Sequence, residues 1–195
     1  VNIKNQIYSY RAIRPDWTFS LQAGFTQARS TSKGVELDFT VELNRSRETI
    51  WQNIFTLFFK KKKVKKLPDK GGFALSPLQD ASDEFSMGID AKLRKNFCRL
   101  IGDRNAIHTN RIFAKLMGYK DAFSQPFQAL GELFFRDEWF SVLDSPGKFY
   151  FEFKGPLYYN ENTRVKYSAE NHNLRFDLYS GDNPRPGILG VFEKI

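Results

Sequence analysis

Two side chains able to move protons, Asp103 and His108, stand five positions apart in the stretch IGDRNAIHTN (101–110), with Gly102 before the carboxylate and Asn105 between the pair. A glycine permits a sharp exit from a preceding helix. A short irregular turn then brings carboxylate and imidazole to one side of a pocket, where they can hold one water molecule and move its two protons separately. That chemistry suits reversible addition of water to a double bond, in which one group removes a proton while another is delivered. If the double bond is conjugated to a thioester, the developing enolate also needs a hydrogen-bond donor at the carbonyl oxygen. Free backbone N–H groups at a helix N-terminus meet that need, and an apolar helix beginning near Pro126 is placed to offer them. No metal, and no cofactor beyond the carrier of the acyl group, is required. Taken alone, both residues have plainer explanations: Asp103 as a cap or turn residue, and His108 as a satisfied core histidine beside Ile107.

The elements that must position this pair are legible as strands, then helices, then strands. In Val35–Leu43 apolar and polar residues alternate with a period of two, which marks a half-buried antiparallel strand. Glu48–Phe59 follows a polar turn, with Trp51, Phe55, Leu57 and Phe59 on one face. Ile7–Ile13 and Phe19–Ser30 are earlier strands, so residues 1–66 read as a meander of about four. Residues 61–84, with Pro68, Gly71, Gly72 and Pro77, form a connector. Helical spacing begins near Asp90 with Leu93 and Phe97 and stops at Gly102. A short helix capped by Thr109 or Asn110 ends at Gly118, and a third runs from Pro126 to about Phe135. Strands return at Phe149–Phe153, Arg164–Glu170, Leu174–Tyr179 and Ile188–Lys194, with a turn at GDNPRPG (181–187). The predicted division is an N-terminal half (1–66), a linker (67–84) and a C-terminal domain (85–195).

Composition narrows the classes further. The 195 residues include 20 Phe, 8 Tyr and 3 Trp, enough for a sizeable core. A single cysteine, Cys98, excludes a disulfide framework and any zinc site needing two thiolates, and suits a reduced, cytoplasmic setting. No apolar stretch reaches the ~18–20 residues of a transmembrane helix. The net charge of +8 includes six lysines in Lys60–Lys66, without which the balance is +2. We read these as a solvated strand end or as an attraction for an anionic thioester carrier or acidic membrane surface. Nucleic acid ranks last, because no recognition motif accompanies the lysines.

The stretch 101–130 resembles the motif of MaoC-like dehydratases and R-specific enoyl-CoA hydratases, which reads approximately G-D-x-N-P-[ILV]-H, then A-x-x-x-G-[FY], then I-A-H-G-M. Gly102, Asp103, Asn105, Ile107 and His108 match, Ala114 and Gly118-Tyr119 fall at the expected spacing, and FSQPF (123–127) occupies the place of the last block. FYFEFKGP (149–156) resembles a later strand of the family, and Gly190-Val191 its final one. The likeness covers roughly Phe85 to the end. It implies an α+β hot-dog fold, here a double hot-dog with an incomplete N-terminal repeat, forming a pseudo-dimer within the chain or a homodimer. The incompleteness follows because residues 1–66 offer no central helix: either it precedes Val1, which the uncovered apolar face favours, or this half has shrunk.

The resemblance further implies that a trans-2-enoyl or (R)-3-hydroxyacyl thioester, on CoA or acyl carrier protein, is the substrate. Asp103 and His108 would be catalytic, Gly102 and Asn105 would support them, and Gln125, Phe127 and Tyr119 would line the substrate site. Arg164, Lys166 and the lysines of 60–66 would meet carrier phosphates. Three residues depart from the pattern. Ala106 replaces Pro, Gln125 replaces a non-catalytic His, and Pro126 replaces the Gly whose N–H the family offers to the thioester carbonyl. Proline has no N–H, which leaves the Phe127 amide as a substitute donor. Two rivals follow: a degenerate hot-dog protein that binds acyl thioesters without turnover, favoured by Pro126, and a hot-dog thioesterase, which does not need this Asp–His spacing.

Overall fold

The computed structural model describes residues 1–60, 74–136, 146–170 and 173–195. Nine strands form a single antiparallel sheet in the order β2-β3-β4-β1-β6-β9-β8-β7-β5. The N-terminal strands are β1 (Asn2–Ser9), β2 (Ser20–Thr31), β3 (Gly34–Arg45) and β4 (Glu48–Lys60). The C-terminal set is β5 (Asp83–Met87), β6 (Gly147–Phe153), β7 (Thr163–Glu170), β8 (Asn173–Ser180) and β9 (Ile188–Lys194). Between β5 and β6 lie α1 (Arg94–Leu100), α2 (Arg111–Leu116) and α3 (Pro126–Phe134).

Reading outward from the central β1–β6 pair, one half runs β1, β4, β3, β2 and the other β6, β9, β8, β7. The halves are therefore topological repeats, joined where Asn5 pairs with Phe151 and Ile7 with Phe149. The four N-terminal strands are present, and β2, β3 and β4 form the expected meander; β1 departs from it, pairing with β4 and β6 instead of with β2. Strand β5 was not read from the sequence, because DEFSM offers only Phe85 and Met87 as an apolar face and pairs solely along β7.

The alternation in β6 sends Phe149 and Phe151 to the face on which α3 lies. There the Phe134 ring meets those of Phe149, Phe151 and Phe176 at 5.8, 6.4 and 5.7 Å. Leu133 and Phe176 are fully buried, and each such side chain contributes about 1.5–3 kcal/mol. Gly190 is obligatory here, since a Cβ would stand 2.1 Å from the Phe176 ring. Residues 1–60 contribute no helix, and on their side of the same face Leu21, Phe25 and Phe59 remain exposed.

The opposite face carries buried charge. Glu152 and Asp177 are 0% exposed, because the stretch 74–80 crosses over them. Leu75 N–H donates to Glu152 Oε1 at 2.9 Å, Leu78 N–H donates to Asp177 Oδ2 at 2.7 Å, and Arg175 reaches Ser76 O at 2.7 Å. Of the expected connector, residues 61–73 lie outside the described residues, and with them most of the lysine cluster.

Candidate active site

Helix α1 runs out at Ile101, and Gly102 reverses the chain with φ +72°, a conformation that suits a residue without a Cβ. Asp103 follows at once. Its Oδ1 accepts the Asn105 N–H at 2.9 Å, which fixes the carboxylate rotamer and leaves Oδ2 free to face inward. Asn105 in turn accepts the Ile107 N–H at 3.3 Å and starts a 3-10 turn, Ala106–His108. Asn105 is exposed, so its contribution is to shape the loop.

His108 is buried, 6% exposed, and its Nδ1 lies 3.1 Å from the carbonyl oxygen of Phe123. A carbonyl only accepts, so Nδ1 carries the proton in that bond and Nε2 of the neutral ring presents a lone pair. That lone pair faces Asp103 Oδ2 at 3.6 Å. Two acceptors facing each other are satisfied by a donor that reaches both, such as one water molecule. Asp103 also pushes the buried Cys98 thiol up, after burial itself.

The loop that anchors His108 leads straight into α3. Asn110 caps α2 by accepting the Phe113 N–H, and Gly118 at φ +89° ends it. Tyr119 then packs on Phe123 with the rings tilted and their centroids 4.6 Å apart, while Phe123 bridges to Tyr158 and Ser124 N–H donates to Leu157 O at 2.8 Å. This pins residues 123–124 to the sheet side, and α3 begins two residues on.

The N-terminus of α3 differs from expectation. Pro126 has no N–H, and the substitute donor, the Phe127 N–H, is taken: it donates to Gln125 Oε1 at 2.7 Å. Gln128 N–H is bonded to Gln125 O at 2.9 Å. A glutamine side chain reaches its own helix start readily, and an N-terminal amide without a partner is costly, so the cap closes. The cap also settles which way the carboxamide points. With its oxygen on Phe127, the Gln125 NH2 points away from that amide and has no bonded partner among the described residues.

Other expected site residues are scattered. Phe127 lines a groove of about 600 Å3 between α3 (Leu130, Phe134) and the sheet (Ile7, Trp51, Phe149). Asp103 and His108 do not line it; Phe123, whose carbonyl holds His108, precedes Phe127 by four residues in the chain. Tyr119 sits outside the groove, 36% exposed. Arg164 and Lys166 are occupied by Glu84 at 3.5 and 3.7 Å and stand over Tyr179, apart from the pair. Two groups escaped the sequence reading. Ser124 carries a buried hydroxyl without a partner among the described residues, and Tyr159 donates to Gln128 at 3.0 Å, its phenol pushed far up by burial. Neither has a distinctive spacing. Among the described residues there is no cluster of three or more potential metal ligands, and no helix long and apolar enough to cross a membrane.

No family model and no curated protein matches the sequence. Solved structures do match. HtdX from Mycobacterium tuberculosis superposes over all of this chain and 76% of its own length, with a TM-score of 0.76 at 16% identity. A MaoC-like dehydratase from Phytophthora capsici does so over all of this chain and 68% of its own, with a TM-score of 0.79 at 15% identity. The 12:0-ACP thioesterase from Umbellularia californica matches over 99% of this chain and 74% of its own length, with a TM-score of 0.58 at 12% identity. At such identities the likeness is one of fold, and the fold of this chain is the hot-dog fold that MaoC-like dehydratases share.

Proposed function

We propose that the protein hydrates trans-2-enoyl thioesters and, in reverse, dehydrates (R)-3-hydroxyacyl thioesters, as a member of the MaoC-like family. The observation that carries this reading is the pair of facing acceptors, His108 Nε2 and Asp103 Oδ2, 3.6 Å apart and each held by a backbone group on its far side. A water molecule donating to both has its oxygen lone pair free for attack. As that oxygen adds to C3 of the enoyl group, the pair takes one proton from the water and returns one to C2. One water is consumed and the residues end as they began.

The enolate oxygen formed on the way needs a donor. With the first backbone amides of α3 absent or engaged, the NH2 of Gln125 is the group we assign to it. The acyl chain would lie in the groove that begins at Phe127 and follows α3 to Phe134, about 10 Å at 1.5 Å per residue.

Hydration of crotonyl-CoA, followed by loss of the enoyl-thioester absorbance, tests the reading. Wild type should turn over, while Asp103→Asn and His108→Ala should fall to background with unchanged circular dichroism. Full activity in either variant would remove the mechanism. The engaged α3 amides favour one rival, a protein that binds acyl thioesters without turnover; binding with no hydration of any enoyl-CoA would select it. Release of free thiol from acyl-CoA would instead select a thioesterase.

A further inference from the structure

The residues that flank the acid–base pair on either side form an unusual surface. Between Lys92 and Lys120 the chain carries eight Lys and Arg and a single carboxylate, Asp103 itself, so this segment holds +7 of the chain's net +8. Lys95, Arg99, Arg104 and Lys115 are exposed and make no ion pair among the described residues. Interleaved with them are large apolar side chains that no described residue covers. Leu100 is 81% exposed, Leu116 80%, Ile112 72% and Met117 59%. In α2 only Ala114 is buried, so the rest of that helix stands out from the body. Exposed apolar groups in such density mark a binding surface, and the cations set the sign of its partner.

We infer that α1, the turn carrying the acid–base pair and α2 together dock an acidic acyl carrier protein that presents the thioester to Asp103 and His108. This rests on the proposed reaction and names the carrier it uses. A nucleotide-bearing carrier would answer the cations through its phosphates but has nothing to cover Leu100, Ile112 and Leu116, whereas an acidic helix with apolar residues answers both. A second copy of this chain is disfavoured, since a twofold contact would set the unpaired cations Lys95, Arg99, Arg104 and Lys115 against their own copies. An anionic bilayer pressed on this face would seal Asp103, 24% exposed at its side chain, against a thioester arriving from water.

The test compares crotonyl thioesters of a bacterial acyl carrier protein and of N-acetylcysteamine, which has neither charge nor body, using the full chain and its Arg99→Glu/Lys115→Glu variant. The variant should lose at least tenfold in kcat/KM on the carrier-bound substrate and stay within twofold on the small one. Raising the salt should cost the wild type a similar factor on the carrier alone. Equal losses on both substrates, or none on the carrier, would overturn the inference. If wild type hydrates neither substrate, the proposed reaction fails and titration of the holo-carrier decides the docking separately. Salt-sensitive binding that the variant loses supports the docking, and no binding overturns it. Cosedimentation with phosphatidylglycerol vesicles without carrier binding, or a dimer that the variant dissolves, would also overturn it.

Discussion

The chemistry turns on where two lone pairs and one amide point. Phe123's carbonyl commits the His108 tautomer, and the Asn105 amide commits the Asp103 rotamer, so a water between them meets acceptors already aimed. Gln125 is the residue on which the proposed rate depends. Gln125→Glu keeps an oxygen on the Phe127 amide, where negative charge is welcome at a helix N-terminus, but removes the NH2. If that NH2 is the oxyanion donor, kcat should fall about 10²–10³-fold with the fold intact. Gln125→Ala separates the roles: a rise in rate would mean that the side chain was plugging the Phe127 amide, and the donor assignment would be wrong. Pro126→Gly restores an amide at the first helical position and should raise kcat; no change would show that position to be remote from the carbonyl.

At the scale of elements, the outward face of β6 illustrates how an alternating pattern can be read correctly and still mislead about solvent. Tyr150, Glu152 and Lys154 alternate with the phenylalanines as the sequence predicts, yet Tyr150 and Glu152 are buried, and the Leu75 amide donates to Glu152 from the stretch that crosses it. Burial alone would raise the Glu152 pKa, but Lys154, the Tyr150 hydroxyl and the Leu75 amide overcome it and hold the carboxyl below its ordinary value. A depressed carboxylate stabilises the fold fully above its unfolded pKa and loses that contribution as pH falls through the folded one. Denaturant midpoints measured from pH 7 downward through the acid range should therefore drop less steeply in Glu152→Gln than in wild type. Asp38 is depressed likewise, its burial outweighed by Arg29 and Thr56, so a residual slope should survive in that variant. Tyr150→Phe, which deletes a 2.7 Å bond to the Glu152 carboxylate, should cost about 1.5–3 kcal/mol in chemical denaturation.

Across the whole molecule, the β1–β6 pair makes two topological repeats into one sheet, and the groove lies along that seam with Ile7 on one side and Phe149 on the other. Hydrogen exchange should report this. Amides of Asn5 and Ile7 should exchange as slowly as those of β8 and β9, while β2 at the open edge should exchange by local fraying. Fast exchange at β1 with slow exchange at β9 would show that the halves open independently. Charge is distributed at the same scale. The eight cations of residues 92–120 are spaced among apolar residues rather than run together as in Lys60–Lys66, so no charge run marks them.

The amino-acid sequence by itself determined the local features: the period of two in β3, β4 and β6, the stop signals at Gly102 and Gly118, the proline that opens α3, and an Asp and His close enough to share one turn. These depend on neighbours within a few residues, where backbone geometry and side-chain periodicity act directly. Only the tertiary structure decided which strand lies beside which, that β1 belongs next to β6, that DEFSM is a strand, and that a connector buries Glu152 and Asp177. Pairing partners are chosen by long-range hydrogen bonding and burial, which no local pattern specifies. The state of the α3 N-terminus belongs to the same class. That proline lacks an amide was legible in the sequence, but that Gln125 spends the next one depended on a side-chain rotamer set by the folded site.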